Sequence, residues 1–132
     1  MKRRDFIVGA ACVATVAPMA ALAETKPYSP GLIKDALARG ETVFVGFSAD
    51  WCSTCKTQER AMDKLRADNP AYDTAMTFVR VDWDDFKRHE VAKSRNIPRR
   101  STLIVLRGDA ELGRVVAGTS STQIKQLMDL GL

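Results

Sequence analysis

The sequence lacks a long hydrophobic run. Its longest apolar stretch, residues 7–22, is shorter than the roughly 20 residues that a membrane-spanning helix needs. Basic residues 2–4 precede this stretch, and residues 21–23 (A-L-A) end it with the small-residue pattern that signal peptidases cleave. We therefore predict that residues 1–23 are a cleaved signal peptide and that the mature chain, 24–132, is not embedded in a membrane. An uncleaved N-terminal anchor is the alternative.

The predicted signal also has features of a twin-arginine signal. Residues 3–7 (R-R-D-F-I) match its two arginines, its variable residue, its phenylalanine and its aliphatic residue. Lys2 and Val8 depart from that pattern, so an ordinary secretory signal stays open. Both routes deliver the chain to the same side of the membrane, and we predict a periplasmic, exported protein.

The mature chain lacks a strong imbalance of charge. The whole sequence has 20 basic and 16 acidic side chains, and residues 2–5 account for three of the basic and one of the acidic ones. The remaining net charge of +2 predicts neither nucleic-acid binding nor attraction to a membrane surface. The 109 residues left after cleavage are enough for one modest hydrophobic core, so we predict a single domain.

Metal-ligating residues are scarce. Cys12 falls within the predicted signal, and the mature chain keeps only Cys52, Cys55 and one histidine, His89. A structural zinc site needs four ligands, and this set is too small to supply them. Two thiolates, alone or with His89 or a methionine, would still suit copper(I), and this alternative stays open. We expect no resident cofactor.

The order of predicted elements is that of an α/β fold. Residues 42–48 (T-V-F-V-G-F-S) predict a central strand covered on both faces, because they are β-branched, aromatic and almost continuously apolar. Helical crossovers make the first strands parallel, and we predict a mixed four-stranded sheet flanked by helices. The other predicted elements are a helix from Ser29-Pro30 to Gly40, a helix at 52–67, strands at 76–82, 102–106 and 112–117, a short helix at 91–95, and a last helix capped by Ser120 or Ser121.

Segment 51–56 (W-C-S-T-C-K) places two cysteines at the start of the helix that follows this strand. Three residues apart on the first turn, their sulfurs are close enough to form a disulfide. The free N–H groups and the positive dipole end at a helix N-terminus lower the pKa of the Cys52 thiol. We predict that Cys52 is the exposed, attacking sulfur and that Cys55 is shielded and resolves the mixed disulfide. A purely structural disulfide is the weaker interpretation, because so short a loop constrains the unfolded chain little.

Residues 47–56 (F-S-A-D-W-C-S-T-C-K) resemble the active-site segment of the thioredoxin superfamily. They are most similar to periplasmic members with an A-D-W-C-x-x-C-K run, such as the C-terminal domain of the Dsb-system inner-membrane reductase. The resemblance extends from the helix at Ser29 to the C-terminus. It implies a thioredoxin-like fold, disulfide exchange with protein partners through Cys52 and Cys55, and a docking role for Trp51 beside the nucleophile.

Three features depart from that family. Gly46 stands where thioredoxins have a buried acid, so a proton relay is absent or is supplied by water or another carboxylate. Ser53 and Thr54 replace the Gly-Pro dipeptide between the cysteines, which leaves the redox potential open. An ungapped alignment puts Ser101 at the family's cis-proline position, facing the sulfurs. We expect a trans bond there, because a non-proline cis bond costs ~3 kcal/mol. An insertion that leaves Pro98 as the functional proline is the alternative.

Arg99 and Arg100 lie in the same loop as Ser101, so we expect them near Cys52. They either stabilise the thiolate and contact an acidic partner or are ordinary solvated arginines, and the sequence favours neither. The predicted substrate-binding residues are accordingly Trp51, Arg100 and Ser101.

These patterns predict an exported thiol–disulfide oxidoreductase that exchanges disulfides with protein partners. The resemblance to reductive family members favours a reductant or electron relay, recycled by a membrane reductase. The alternative is a periplasmic copper-handling or metalloprotein-assembly protein that uses the same cysteine pair. We expect a monomer that binds no nucleic acid.

Overall fold

The structure is a computed structural model that describes residues 24–132, so the predicted signal peptide, 1–23, lies outside the described residues. Within this part of the chain there are five strands: β1 (Lys26–Pro27), β2 (Thr42–Ser48), β3 (Met76–Asp82), β4 (Thr102–Arg107) and β5 (Ala110–Val116). The same residues form six helices: α1 (Leu32–Ala38), α2 (Ser53–Asp68), α3 (Ala71–Ala75), α4 (Trp83–Phe86), α5 (Glu90–Lys93) and α6 (Ser121–Asp129). None of these helices is both long enough and apolar enough to cross a membrane.

The sheet is mixed and has the strand order β1-β3-β2-β4-β5. Strand β2 pairs in parallel with β3 and antiparallel with β4, with Ser48 opposite Asp82 and Phe47 opposite Thr102. The end of β2, the end of β3 and the start of β4 therefore meet at one edge of the sheet. The segments that leave or enter at this edge are the start of α2, helix α4 and the loop before β4.

Helices cover both faces of the sheet, and each face has its own hydrophobic core. Side chains alternate along β2, so Val43, Val45 and Phe47 face α1 and α5, whereas Phe44 faces α2, α3 and α6. All four are fully buried. This two-sided burial explains why residues 42–48 are almost continuously apolar, and it confirms the predicted α/β class and central strand.

The predicted number of strands is wrong by one. The extra strand, β1, has two residues and pairs with β3 through Lys26 opposite Val79. A two-residue strand is too short to show the alternating pattern by which strands are recognised in a sequence. Helices α3 and α4 were also not predicted, because about one helical turn shows no periodicity.

The start of the first helix is also corrected. The sequence predicted a cap at Ser29 with Pro30 in the first turn, but α1 begins at Leu32. Gly31 precedes it with a φ of 90°, a left-handed conformation that interrupts a right-handed helix. Two other predicted ends are confirmed: Gly40 follows α1 with a φ of 82°, and the Ser120 side chain caps α6.

We predict that Tyr72→Phe lowers the free energy of unfolding by about 0.5–1 kcal/mol at neutral pH. The buried Tyr72 hydroxyl donates to the Asp129 carboxylate, and this bond, followed by Lys125, lowers the pKa of Asp129. A carboxyl group with a lowered pKa stabilises the fold above its unfolded pKa, about 3.9, and this stabilisation is lost as pH falls through the folded pKa. Urea denaturation at pH 7 and at successively lower pH is the test; a loss that does not shrink as pH falls would mean that the hydroxyl acts only through packing.

Candidate active site

Helix α2 begins at the cysteine pair. Strand β2 ends at Ser48, and the Cys52 backbone N–H donates to the Ala49 carbonyl oxygen at 3.1 Å, which closes the turn between strand and helix. Cys52 is the N-cap of α2, and its Sγ accepts the Cys55 backbone N–H at 3.2 Å. The two Cα atoms are 5.3 Å apart, and the sulfurs form a disulfide. The sequence therefore predicted both the pairing and its place at the helix N-terminus.

The predicted difference in exposure between the two cysteines is wrong. Cys52 is 2% exposed and Cys55 is 1% exposed, so both are buried in this disulfide form. Ala49 and the half-buried Trp83 pack against them, and Ser101 lies within hydrogen-bonding distance of both sulfurs. The sequence placed Ser101 near the sulfurs only through the family resemblance, and it did not indicate Trp83, which lies at the end of another strand. Hydrogen bonds, and not exposure, distinguish the two cysteines.

Ser101, and not Pro98, lies beside the pair. The Ser101 Oγ is 3.2 Å from the Cys52 Sγ and 3.0 Å from the Cys55 Sγ, and the residue is fully buried. Pro98 is exposed. No cis peptide bond occurs in residues 24–132, so the Ser101 bond is trans as expected, and the residue has a left-handed φ of 63°.

The backbone of Ser101 is anchored on both sides. Its N–H donates to the Phe47 carbonyl oxygen at 2.7 Å, and its own carbonyl oxygen accepts the Ala117 N–H at 2.8 Å. The buried Gln58 Nε2 donates to the same Ser101 oxygen and to the Gly118 oxygen, each at 2.9 Å. These bonds satisfy the polar groups of a buried loop and hold a backbone conformation that is uncommon for a residue other than glycine.

Gln58 was not predicted as a site residue. A usable signal was present, because Gln58 lies on the same face of α2 as the buried Cys55 and Met62, where a polar side chain needs a partner. Its partners, however, are 43 and 60 residues away along the chain. The pattern could have marked Gln58 as a buried polar residue without saying what it binds.

Trp51 is the large exposed side chain next to the pair, with 60% of its surface accessible. The Arg100 guanidinium carbon is 4.4 Å from the Trp51 ring centroid, a cation–π contact. The Trp51 Nε1–H donates to the Asp84 carboxylate at 2.8 Å. The structure thus brings the predicted residues Trp51 and Arg100 together and adds Asp84, which the sequence did not single out. Arg99 instead donates to the Arg100 carbonyl oxygen at 3.0 Å.

Cys55 lines a cavity of about 190 Å³ between α2 and strands β2 and β3. Gly46, which stands where the family resemblance implies a buried acid, also lines this cavity. Glu59 lines the same cavity and accepts hydrogen bonds from Ser48 Oγ at 2.6 Å and from Arg80 Nε at 3.2 Å. Gly46, which has no side chain, and the carboxylate of Glu59 in α2 therefore line one cavity.

His89 lies away from the sulfurs. Its ring packs against Tyr28 and Phe86, and its Nδ1 accepts the Val91 N–H at 3.2 Å. No cluster of three or more potential His, Cys, Asp or Glu metal ligands occurs in residues 24–132. In residues 24–132, a copper ion bound by Cys52 and Cys55 would therefore have no third His, Cys, Asp or Glu ligand.

This arrangement can cycle between a disulfide and a dithiol. The two cysteines lie at the N-terminus of a helix that follows the central strand, and helices cover both faces of the sheet. These features define the class of thioredoxin-like disulfide oxidoreductases. Comparison with known proteins agrees with this class: residues 29–130 match the thioredoxin family. The chain belongs to the thioredoxin family, and its activity is thiol–disulfide oxidoreduction.

Individual relatives support the same conclusion. The chain is 30% identical over 95 residues to a thioredoxin of Echinococcus granulosus, covering 71% of this chain and 82% of that protein. Among solved structures, Trxlp of Edwardsiella tarda EIB202 is similar with a TM-score of 0.68 and 30% identity, covering 79% of this chain and 98% of that one. Thioredoxin of Trypanosoma brucei brucei has a TM-score of 0.67 and 25% identity, with coverage of 84% and 93%.

We predict that Gly46→Ala raises the free energy of unfolding by about 0.4–1 kcal/mol, because alanine loses less backbone entropy on folding than glycine. An added Cβ would lie 3.4 Å from the Leu103 Cδ2, an ordinary van der Waals distance, beside the cavity. Chemical denaturation measures the change. The matched control is Gly113→Ala in β5, where the Cβ would lie 2.5 Å from the Leu130 Cδ1. Because a neighbouring side chain must shift at that distance, we expect no stabilisation from the control. Stabilisation by the control, or a loss at Gly46, would contradict this account.

Proposed function

We propose that this chain is an exported disulfide reductant or electron relay that acts on protein partners, with Cys52 as nucleophile and Cys55 as resolving thiol. The observation that supports these roles is the hydrogen bond from the Cys55 backbone N–H to the Cys52 Sγ. This backbone N–H belongs to the first turn of α2, and it points at the Cys52 sulfur and not at the Cys55 sulfur. Such a donor stabilises a thiolate more than a thiol and so favours Cys52 as the attacking group.

In the proposed cycle, the Cys52 thiolate attacks a partner disulfide. One sulfur–sulfur bond breaks, a mixed disulfide forms, and one partner thiolate leaves. Cys55 then loses its proton and attacks the Cys52 Sγ, which releases the second partner thiolate and leaves the Cys52–Cys55 disulfide. The partner gains two electrons and the pair loses two. A dithiol donor must then reduce the pair, and we propose a membrane reductase for this step.

We propose that partners dock on Trp51, Arg100 and Ser101. Trp51 provides an exposed apolar ring beside the pair, and its contacts with Arg100 and Asp84 hold the indole in one orientation. An oriented aromatic side chain loses little entropy when a partner binds it. Ser101 lies next to both sulfurs, and we propose that a partner cysteine contacts it when the mixed disulfide with Cys52 forms.

Export is supported by the N-terminal sequence. Residues 1–23 combine a basic start, an apolar stretch and a small-residue cleavage pattern, and a cysteine pair within residues 24–132 suits an oxidising compartment. We propose the periplasm as that compartment.

The proposed roles predict that Cys55→Ser accumulates a mixed disulfide through Cys52, whereas Cys52→Ser does not. Without Cys55 the intermediate has no internal thiol to resolve it, and without Cys52 the activated sulfur is missing. Non-reducing gels of periplasmic extracts, with thiols blocked by acid and alkylation, measure the trapped species.

The double variant Cys52→Ser/Cys55→Ser is the control for disulfides formed outside the site. Mass spectrometry of the trapped species identifies the partners and the bonded cysteine. Equal trapping by both single variants would contradict the assignment of roles. The absence of any trapped species would contradict the proposal that protein disulfides are the substrates.

The proposed export predicts a mature chain that begins at Glu24 and contains two thiols after reduction. Cleavage after Ala23 removes Cys12, so only Cys52 and Cys55 remain to be alkylated. Intact-mass measurement of the protein from the periplasmic fraction, before and after alkylation, is the test. A mass that includes residues 1–23, or three alkylated thiols, would show that the chain is not processed in this way.

A further inference from the structure

We propose that Ser101 is a catalytic residue whose hydroxyl donates a hydrogen bond to the Cys52 thiolate and thereby stabilises the reduced pair. This inference rests on the redox role of Cys52 in the proposed function and assigns a chemical role to Ser101 beyond partner binding. It also explains what a serine contributes at a position where the family has a proline, which has no donor.

The geometry identifies the hydroxyl as the donor. The Ser101 Oγ is 3.2 Å from the Cys52 Sγ and 3.0 Å from the Cys55 Sγ, within range for hydrogen bonds that involve sulfur. Disulfide sulfurs carry no hydrogen, so in this form the hydroxyl alone can donate. Within residues 24–132, the two sulfurs are the polar contacts of this hydroxyl.

The backbone holds the hydroxyl in this place. The Ser101 N–H is bonded to Phe47, and its carbonyl oxygen accepts from both Ala117 and Gln58. With the peptide groups on both sides anchored, the left-handed φ of 63° directs the side chain at the sulfurs. The donor is therefore in position before the pair is reduced and needs no rearrangement to bind the thiolate.

Reduction changes what the hydroxyl binds. When two thiols of a reductant reduce the pair, the Cys52–Cys55 bond breaks and the pair gains two electrons. Of the two protons that the reductant thiols release, Cys55 takes up one and becomes a thiol, and the other passes to solvent because Cys52 becomes a thiolate. The Ser101 hydroxyl then donates to the Cys52 thiolate and is free to accept from the Cys55 thiol. The neutral disulfide sulfurs are weaker acceptors than a thiolate, so this bond favours the reduced form.

Burial increases the effect of this bond. Ser101 is fully buried and both cysteines are at most 2% exposed, so water competes little for the thiolate. A hydrogen bond to an ionised group is about twice as strong as a neutral one, and a low local dielectric strengthens it further. The Cys55 N–H supplies one donor to the same sulfur and Ser101 supplies a second.

We expect removal of the hydroxyl to raise the pKa of the Cys52 thiol by about one unit. It should also lower the equilibrium constant for reduction of the pair by glutathione about tenfold. For this two-electron couple, a tenfold change is a reduction potential about 30 mV more negative. The variant would thus be a stronger reductant with a less acidic nucleophile.

The test uses the mature chain with Ser101→Ala and Ser101→Gly. The pH dependence of Cys52 alkylation, measured in a Cys55→Ala background so that one thiol titrates, gives its pKa. Glutathione equilibration of the two-cysteine protein gives the potential. Glycine adopts a positive φ without strain, so Ser101→Gly keeps the test valid if alanine destabilises the loop. In both variants we expect a higher pKa of the Cys52 thiol and a more negative reduction potential of the pair.

Ser101→Thr and Ser101→Val are the matched controls. Both are β-branched and share the strain of a left-handed backbone, but threonine retains a hydroxyl. The Cys52 pKa with threonine should lie closer to that of the parent than the pKa with valine does. The proposal is overturned if threonine and valine shift the pKa equally. It is also overturned if alanine and glycine leave the pKa within about 0.3 unit of the parent value.

A separate measurement distinguishes this proposal from the proposed function. Reduction of a protein disulfide should be slowed in Ser101→Ala, because its nucleophile is less acidic, and abolished in Cys52→Ser. Activity that survives Cys52→Ser would overturn the assigned nucleophile and, with it, the role of Ser101. Loss of activity in Cys52→Ser together with an unchanged Cys52 pKa in Ser101→Ala would overturn only the role of the hydroxyl.

Discussion

The hydrogen bond from the Ser101 N–H to the Phe47 carbonyl oxygen, at 2.7 Å, ties the start of β4 to the end of β2. The same strand end leads through a short turn to Cys52 and α2. The sulfur pair and the Ser101 side chain are therefore both positioned from one strand that is buried on both faces. A rigid strand end of this kind keeps reacting groups at a constant separation, which a site built on loops alone would not do.

Cys52, Cys55 and Ser101 are almost fully buried, and the backbone polar groups of Ser101 have partners. The Ser101 peptide groups are bonded to Phe47, Ala117 and Gln58, and the Cys52 sulfur accepts the Cys55 N–H at the start of a helix. Because Cys52 is almost fully buried, fixed protein donors are well placed to stabilise the charge of its thiolate. The chemistry of the pair thus depends on the same hydrogen bonds that hold the fold together at the sheet edge.

Two charged environments flank this site. The cation–π pair of Arg100 and Trp51, with Asp84 on the indole N–H, presents an ordered surface to solvent. The cavity at Gly46 instead brings Cys55 close to residues that include Glu59 and its partner Arg80. Gly46 has no side chain, and Glu59 of α2 supplies a carboxylate to the same cavity.

Local sequence determined the cysteine pair, its helix, the central strand and the fold class. Hydrophobic periodicity and a cysteine spacing of three residues act within one strand and one helical turn. Tertiary structure alone decided that Cys52 is buried, that Gln58 and Asp84 support the site, and that Ser101 and not Pro98 lies within hydrogen-bonding distance of both sulfurs. The contacts between Ser101 and the sulfurs join residues 46 and 49 positions apart, and only the pairing of β2 with β4 brings them together.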